Sequence, residues 1–166
     1  SLFDLPPDTK ENKTYMTSKE QLSAIFKESR ILLHEKDMIY SKLCKDLKKH
    51  GVEIVDFHSI SEAEANFLER YFKAEIEPLL SPQIVGKKQP FPFLHYKAIY
   101  AVVLLEKKGS EKLGIVPCTS TVIPELIPLP GNTHRFILSE ELILHFMPDV
   151  FSHHTIKSKT LIRIIR

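Results

Sequence analysis

Ala98-Ile99-Tyr100-Ala101-Val102-Val103-Leu104-Leu105 is an unbroken apolar run rich in β-branched and aromatic residues. Such a run fits a strand covered on both faces better than one with a wet side. Gly109 then marks a turn, and Leu113 to Val116 supplies a short partner strand, so the segment predicts a central hairpin. Before the run, residues 78–94 are punctuated by prolines and read as a loop. Further back, Val52 to Phe57 alternates like a half-buried strand. Ser61-Glu62-Ala63-Glu64 has the spacing of a capping box. The helix it opens should bury Ala65, Leu68, Tyr71, Phe72 and Ile76, and end at Pro78 and Pro82. After the hairpin, Val122 to Leu129 is apolar but interrupted by Pro124 and Pro128, which confines it to a sheet edge. Pro130-Gly131-Asn132 is a turn, and Arg135 to Leu138 a strand. Ser139-Glu140-Glu141 opens a helix through Leu142, Ile143, Phe146 and Met147 that Pro148 stops. Thr155 to Arg166 closes in a strand with Ile162 and Ile164 on one face.

At the other end, Pro6-Pro7-Asp8 forbids a helix in the lead-in. Thr17-Ser18-Lys19-Glu20 is another capping box. Leu22, Ile25, Phe26, Leu32, Leu33, Ile39, Tyr40, Leu43 and Leu47 follow at helical steps, and Gly51 suits the residue after a helix end. The pattern predicts one long helix with a single apolar stripe, which needs partner helices from elsewhere. The fold class is therefore α+β: a mixed or antiparallel sheet with two packed helices, preceded by one long helix from a helical bundle. The natural division is 1–50, the lead-in and long helix, and 51–166, the α+β domain. The chain lacks an initiator Met and stops inside an apolar-basic run, so both ends are expected to continue in a longer polypeptide.

With 43% hydrophobic and 27% charged residues in 166, the composition is that of a globular protein with a real core. A net charge of +2, from 23 basic and 21 acidic residues, gives no argument for nucleic-acid or membrane binding. No apolar run approaches the ~18 residues of a membrane span. Cys44 and Cys118 stand far apart without a CxxC or zinc spacing, and are expected to be reduced thiols in a cytoplasmic protein.

Catalytic motifs are absent. Gly86-Lys87-Lys88 lacks the preceding glycine and the following Ser/Thr of a phosphate loop. His34-Glu35-Lys36-Asp37 lacks the second His of HExxH, and His153-His154 has no spaced carboxylate or Cys beside it. His95-Tyr96-Lys97 begins like the H-x-K-x(4)-D of phospholipase D-type phosphohydrolases, but Val102 stands where the Asp should be. No nucleophile sits on a G-x-S-x-G elbow. The residues alone predict no catalytic residue, no cofactor-binding residue and no metal ligand.

Arg70-Tyr71-Phe72-Lys73-Ala74-Glu75-Ile76-Glu77-Pro78-Leu79-Leu80-Ser81-Pro82, followed by Gln89-Pro90-Phe91-Pro92-Phe93-Leu94, resembles the RYF…I.P.LTP…PFP.L signature of bacterial polyphosphate kinases. Ala98 to Leu105 is similar to the strand that comes next in that family. Gly51-Val52-Glu53-Ile54 resembles its "GI.I" strand start, and Val116-Pro117 with Ile123-Pro124 its "VP … LPR" segment. Phe136 to Phe151 resembles its "F..LE..I…L…F" helix, and Ile162-Arg163-Ile164-Ile165-Arg166 its "FR.TR" strand. The likeness covers residues 15–166. Departures are Ser81 for Thr, Ile84-Val85-Gly86 for Ala-x-Asp, Glu125 for the Arg of LPR, and Ile165 for the Thr of FR.TR.

The resemblance implies a fragment holding the end of an N-terminal helical domain (1–50) and the middle, or head, domain (51–166). The parent would move the terminal phosphate of ATP reversibly onto polyphosphate through a phosphohistidine, with magnesium. In the family the nucleophilic histidine, the metal- and phosphate-binding arginines and most ATP contacts lie in C-terminal domains, and the adenine-binding Asn in an earlier SN.DEF motif. The fragment alone should be inactive and bind no cofactor. The implied partners are a second copy of the chain, as a homodimer or higher homo-oligomer, with polyphosphate and ATP for the parent. Nucleic acid and a transmembrane segment are not implied. The implied location is the cytoplasm, at most peripheral to the inner membrane. Arg163 and Arg166 match family arginines by position and are the candidates for polyanion contact; otherwise they are ordinary strand-edge charges. Two rival readings are a stand-alone polyanion-binding or protein-interaction module using Lys87, Lys88, Lys97, Arg163 and Arg166, and a small hydrolase with a dispersed triad.

Overall fold

A computed structural model describes residues 30–33, 38–86, 95, 97–131 and 134–165. The hairpin lies at its centre. β4 (Ile99–Lys107) and β5 (Ser110–Pro117) pair antiparallel from Tyr100↔Pro117 to Lys107↔Ser110. The two-residue turn has φ of 50° at Lys108 and 78° at Gly109, the left-handed pair that matches the twist of the flanking strands. Five strands form one antiparallel sheet in the order β1-β8-β4-β5-β3, where β1 is Arg30–Leu33, β3 is Gln83–Val85 and β8 is Thr155–Ile165. Three more form a small mixed sheet, with β2 (Glu53–Ile54) parallel to β7 (Arg135–Leu138), and β7 antiparallel to β6 (Leu126–Pro128).

Ile99 to Leu105 is buried at every position, as expected of a strand without a wet side. Ala101, Val103 and Leu105 face the main core. There they meet Leu68 of α2 (Glu62–Tyr71), Ile137 of β7, and Leu142 and Ile143 of α3 (Ser139–His145). Met147, in the short α4 (Met147–Val150), closes the same core. Tyr100, Val102 and Leu104 point the other way, into a second cluster with Val85, Leu113, Ile115, Ile162 and Ile164. Alternation along each strand sorts the residues between the two clusters.

The capping box at Ser61 forms as predicted. The Glu64 N–H donates to Ser61 Oγ at 3.2 Å, and the Ser61 N–H donates to Glu64 Oε1 at 2.9 Å. The same carboxylate holds Arg135, whose Nε lies 3.3 Å from Glu64 Oε2. Arg135 Nη1 lies 3.0 Å from Glu53 Oε2, and Nη2 donates to the Ser59 carbonyl at 2.9 Å. One guanidinium therefore ties β7 to β2 and to the start of α2. The helix then widens into a π turn at Phe72–Ile76 and ends in a 3-10 turn at Glu77–Leu79, where Pro78 removes a donor.

Three expectations are corrected. The long helix from Thr17 to Gly51 is, within the described residues, α1 (Met38–Lys49) preceded by a strand. Ile31-Leu32-Leu33 is a short apolar run that suits either form, and the open edge of β8 decides it by backbone pairing, Arg30↔Ile165 to Leu33↔Ile162. Thr17 to Glu20 lies outside the described residues. Second, the 78–94 loop contains β3, which pairs with β5 at Gln83↔Ile115; its prolines lie outside the three paired residues. Third, the helix opened by Ser139 stops ahead of Pro148 but already at His145, short of Phe146 and Met147, and Pro148 sits in the first turn of a separate helix, α4, where its missing N–H costs nothing.

Two outcomes follow from this packing. A Cβ on Gly114 would meet Val103 Cγ2 at 2.7 Å and Phe151 Cζ at 2.8 Å. Gly114→Ala should therefore cost about 1–3 kcal/mol, read as an earlier urea midpoint at unchanged slope. Arg135→Ala should cost about 1–3 kcal/mol by stranding its partners. The Ser61 N–H, then Arg135, hold the Glu64 carboxyl below the usual carboxylate range, against the opposing effect of burial. Its contribution is thus present above the unfolded carboxylate pKa and lost as pH falls through the lower folded value. Arg135→Ala should bring acid unfolding to a higher pH.

Candidate functional site

The structure brings Lys97 and Arg163 together. Arg163 of β8 sits opposite Ile99 in the β4 register, and the Lys97 N–H donates to the Ile164 carbonyl at 2.8 Å. Lys97 takes a φ of 64°, which bends the chain as it enters β4. Both side chains line a groove of about 630 Å³. Tyr40, Leu43 and Leu47 of α1 form one apolar wall, with Ile54, Ile123 and Leu126 continuing it. Thr119 and Ser120 contribute hydroxyls, and the Ile99 N–H donates to Thr119 Oγ1 at 3.3 Å.

Glu140 is the buried acid of this groove, only 7% exposed, with the exposed Glu125 also lining it. Burial pushes its carboxyl above the usual range. Its own backbone N–H and the nearby charge of Arg163 pull it back, while Glu141 and Glu125 push it further. Ser139 fixes the α3 end at this point, with its hydroxyl donating to the Pro124 carbonyl and its N–H to the Glu125 carbonyl. Sequence reasoning placed Glu140 at a helix start but missed its burial, since local pattern does not say which elements will close over a first turn.

A second depression, of about 930 Å³, lies across Tyr40. It holds Cys44, Asp56, Glu141, His145 and Lys159. His145 stacks on Phe57 with centroids 3.6 Å apart, and burial lowers its pKa. Lys159 Nζ donates to the Leu144 carbonyl at 3.1 Å. Burial lowers the Lys159 pKa and raises that of Glu141. Burial is the first cause of each of these shifts, although His145 and Lys159 keep exposed surface, and the Cys44 thiol is hydrogen-bonded to the Tyr40 side chain in the same depression.

The other sequence candidates scatter. Lys87, Lys88, Arg166 and the His34 to Asp37 stretch lie outside the described residues. The His95 N–H donates to the Tyr100 hydroxyl at 2.8 Å, and Val102, where a phosphohydrolase would need Asp, is fully buried. His153 and His154 lie in the turn before β8, and no three His, Cys, Asp or Glu among the described residues gather to hold a metal. Cys44 and Cys118 are both free thiols, and burial pushes the Cys118 thiol up. No described helix is long and apolar enough to cross a membrane.

Glu140 yields a signed expectation. A raised folded pKa means that the ionised form costs stability, and that this cost disappears below the usual carboxylate range. Glu140→Gln should raise the melting temperature near neutral pH and give no gain at about pH 4. An equal gain at both values would contradict the assignment.

Residues 63–166 match the family model described as the polyphosphate kinase middle domain. The chain is 33% identical over 161 residues to a polyphosphate kinase of Halalkalibacterium halodurans, covering 94% of this chain and 23% of that protein. It is 34% identical over 164 residues to one from Bacillus cereus, with the same coverage of 94% and 23%. The crystal structure of polyphosphate kinase from Porphyromonas gingivalis superposes with a TM-score of 0.65 over 74% of this chain and 20% of that one, at 20% identity, which speaks for the fold. The chain thus spans 23% of the length of these curated relatives.

Proposed function

Since the chain belongs to the polyphosphate kinase family, we propose that it is the scaffold segment of an enzyme that transfers the terminal phosphate of ATP reversibly onto polyphosphate. The match to the middle-domain model over 63–166 carries this reading. In it, residues 51–166 are the middle domain and residues 1–50 end the preceding helical domain, with β1 lent across the boundary to β8. The phosphohistidine, the magnesium and the ATP contacts belong to segments outside this chain, and Arg163 and Arg166 border the path of the polyphosphate. The buried core and the absence of a recognised nucleophile motif in the sequence fit a supporting role.

The same reading makes the segment a homodimer contact in the cytoplasm. The observation favouring it is that α1 leaves two large apolar side chains exposed, Met38 at 83% and Leu43 at 52%. A stand-alone polyanion-binding module is the second reading, favoured by the placement of Lys97 and Arg163 in one groove.

The test is activity with and without the flanking sequence. The natural gene product containing this segment should form polyphosphate from ATP and magnesium, and should trap an acid-labile phosphohistidine. The 166-residue chain should do neither. Turnover by the chain alone, or a long gene product without any, would sink the proposal. Leu43→Asp should weaken self-association in analytical ultracentrifugation while leaving the melting temperature nearly unchanged, because the side chain is already half in water.

A further inference from the structure

β4 runs into β5 through Lys107-Lys108-Gly109-Ser110-Glu111-Lys112, and the turn entering β8 carries His153 and His154. The register draws these together. Leu105 pairs with Lys112 and Lys107 with Ser110 on one side of β4, while Glu106 pairs with Thr155 on the other. Cross-strand partners share a face and neighbours along a strand alternate, so Lys107 and Lys112 emerge on the face of Leu105. The 151–154 turn crosses that face, since Phe151 packs at Gly114, the partner of Val103.

The acids of the hairpin go the other way. Glu106 pairs with Glu111, so both lie on the opposite face, where Glu106 also binds Lys157 at 3.0 Å. Lys107, Lys108, Lys112 and His153 are exposed, and His154 is half-buried. The positive groups sense one another: partial burial, then Lys107, Lys112 and His153, hold the His154 pKa below the usual histidine range. A cluster of like charges costs the folded chain self-repulsion, and a bound polyanion would relieve it.

We propose that Lys107, Lys108, Lys112, His153 and His154 form a surface contact for a linear polyanion, inorganic polyphosphate. The choice of polyphosphate rests on the kinase reading above; the strip itself does not. The cluster lies mostly on exposed surface at one end of the sheet, which suits a repeating chain of phosphates bound by counterion release. No Phe, Tyr or Trp is exposed within the strip, as Phe151 is buried, so a stacking platform for single-stranded nucleic acid is missing. Strip and groove occupy opposite ends of β4. Lys107 and Lys97 are ten positions apart in the sequence, roughly 30 Å at about 3.3 Å per strand residue. A long phosphate chain can therefore be held at a point remote from Arg163.

Fluorescently labelled polyphosphate would be titrated into the 166-residue chain across a sodium chloride series. Binding should weaken steeply with salt and tighten as pH falls from 7.5 to 6 and His154 gains a proton beside Lys107 and Lys112. Lys107→Ala/Lys112→Ala should weaken it about tenfold and flatten the salt slope. Lys48→Ala/Lys49→Ala, which removes the same charge from the exposed last turn of α1, should change it less than about twofold. Both pairs are exposed, so matched thermal melts are expected. If the strip variant melts early, Lys108→Ala/His153→Ala takes its place with the same expectation. Equal losses in the two lysine pairs, no binding by the unaltered chain at low salt, or equally tight binding of single-stranded DNA of the same charge would each overturn the proposal. The kinase assay of the long gene product is a separate readout: its failure removes the family reading of activity and leaves strip-dependent binding standing.

Discussion

Seven successive residues of β4, Ile99 to Leu105, are buried, so the strand has to be covered twice. On one face the cover comes from α2, its π turn, α3, α4 and the small sheet, all converging on Ala101, Val103 and Leu105. On the other, Tyr100, Val102 and Leu104 lie side by side with Val85 of β3, Leu113 and Ile115 of β5 and Ile162 and Ile164 of β8, all buried on the second face of the same sheet. Antiparallel sheets often leave one face wet; this one does not. The demand propagates outward. Gly114 has no side chain because Val103 and Phe151 already occupy the space. Arg135 must fasten the small sheet and the α2 start in place, because β2 is only two residues long and cannot hold itself.

How far the fold could be read from the sequence depended on the range of the deciding interaction. The hairpin was legible because an apolar run, a Gly at the turn and a second apolar run all act within twenty residues. The capping box at Ser61 and the proline-limited edge at β6 were legible for the same reason. Ile31-Leu32-Leu33 was not, since its partner is β8 at the far end of the chain. β3 was hidden because three residues between prolines carry too short a pattern to register as a strand. The division into two sheets was also invisible, because alternation marks a strand without saying which neighbour it takes.

The candidate site shows the same limit. Arg163 was singled out by likeness to a family strand, and Lys97 as part of a rejected motif. Nothing local said that they share a groove, which follows from β8 pairing with β4. Glu140 was seen as a helix-start acid, and only the packing of the α3 end against the 118–125 segment revealed a carboxyl withdrawn from water. The hairpin lysines drew no notice because a near-neutral total of charges conceals a local imbalance. Glu106 and Glu111 balance the sum while facing the other way.

The pairing of β1 with β8 has a consequence for how the molecule is made. Arg30 finds its partner at Ile165, and β2 waits for β7, whereas β4 and β5 meet at once. Non-local pairing is slow because ordering the intervening chain precedes the reward. On a ribosome, the hairpin would emerge complete while the other edge of β4 and the face destined for α3 still await sequence not yet translated. β8 is therefore the piece that ends the waiting: it zips along β4 and captures β1 in one event. Until then the nascent chain carries a long apolar strand with an unpaired edge, the kind of surface that chaperones recognise and that aggregates when left alone.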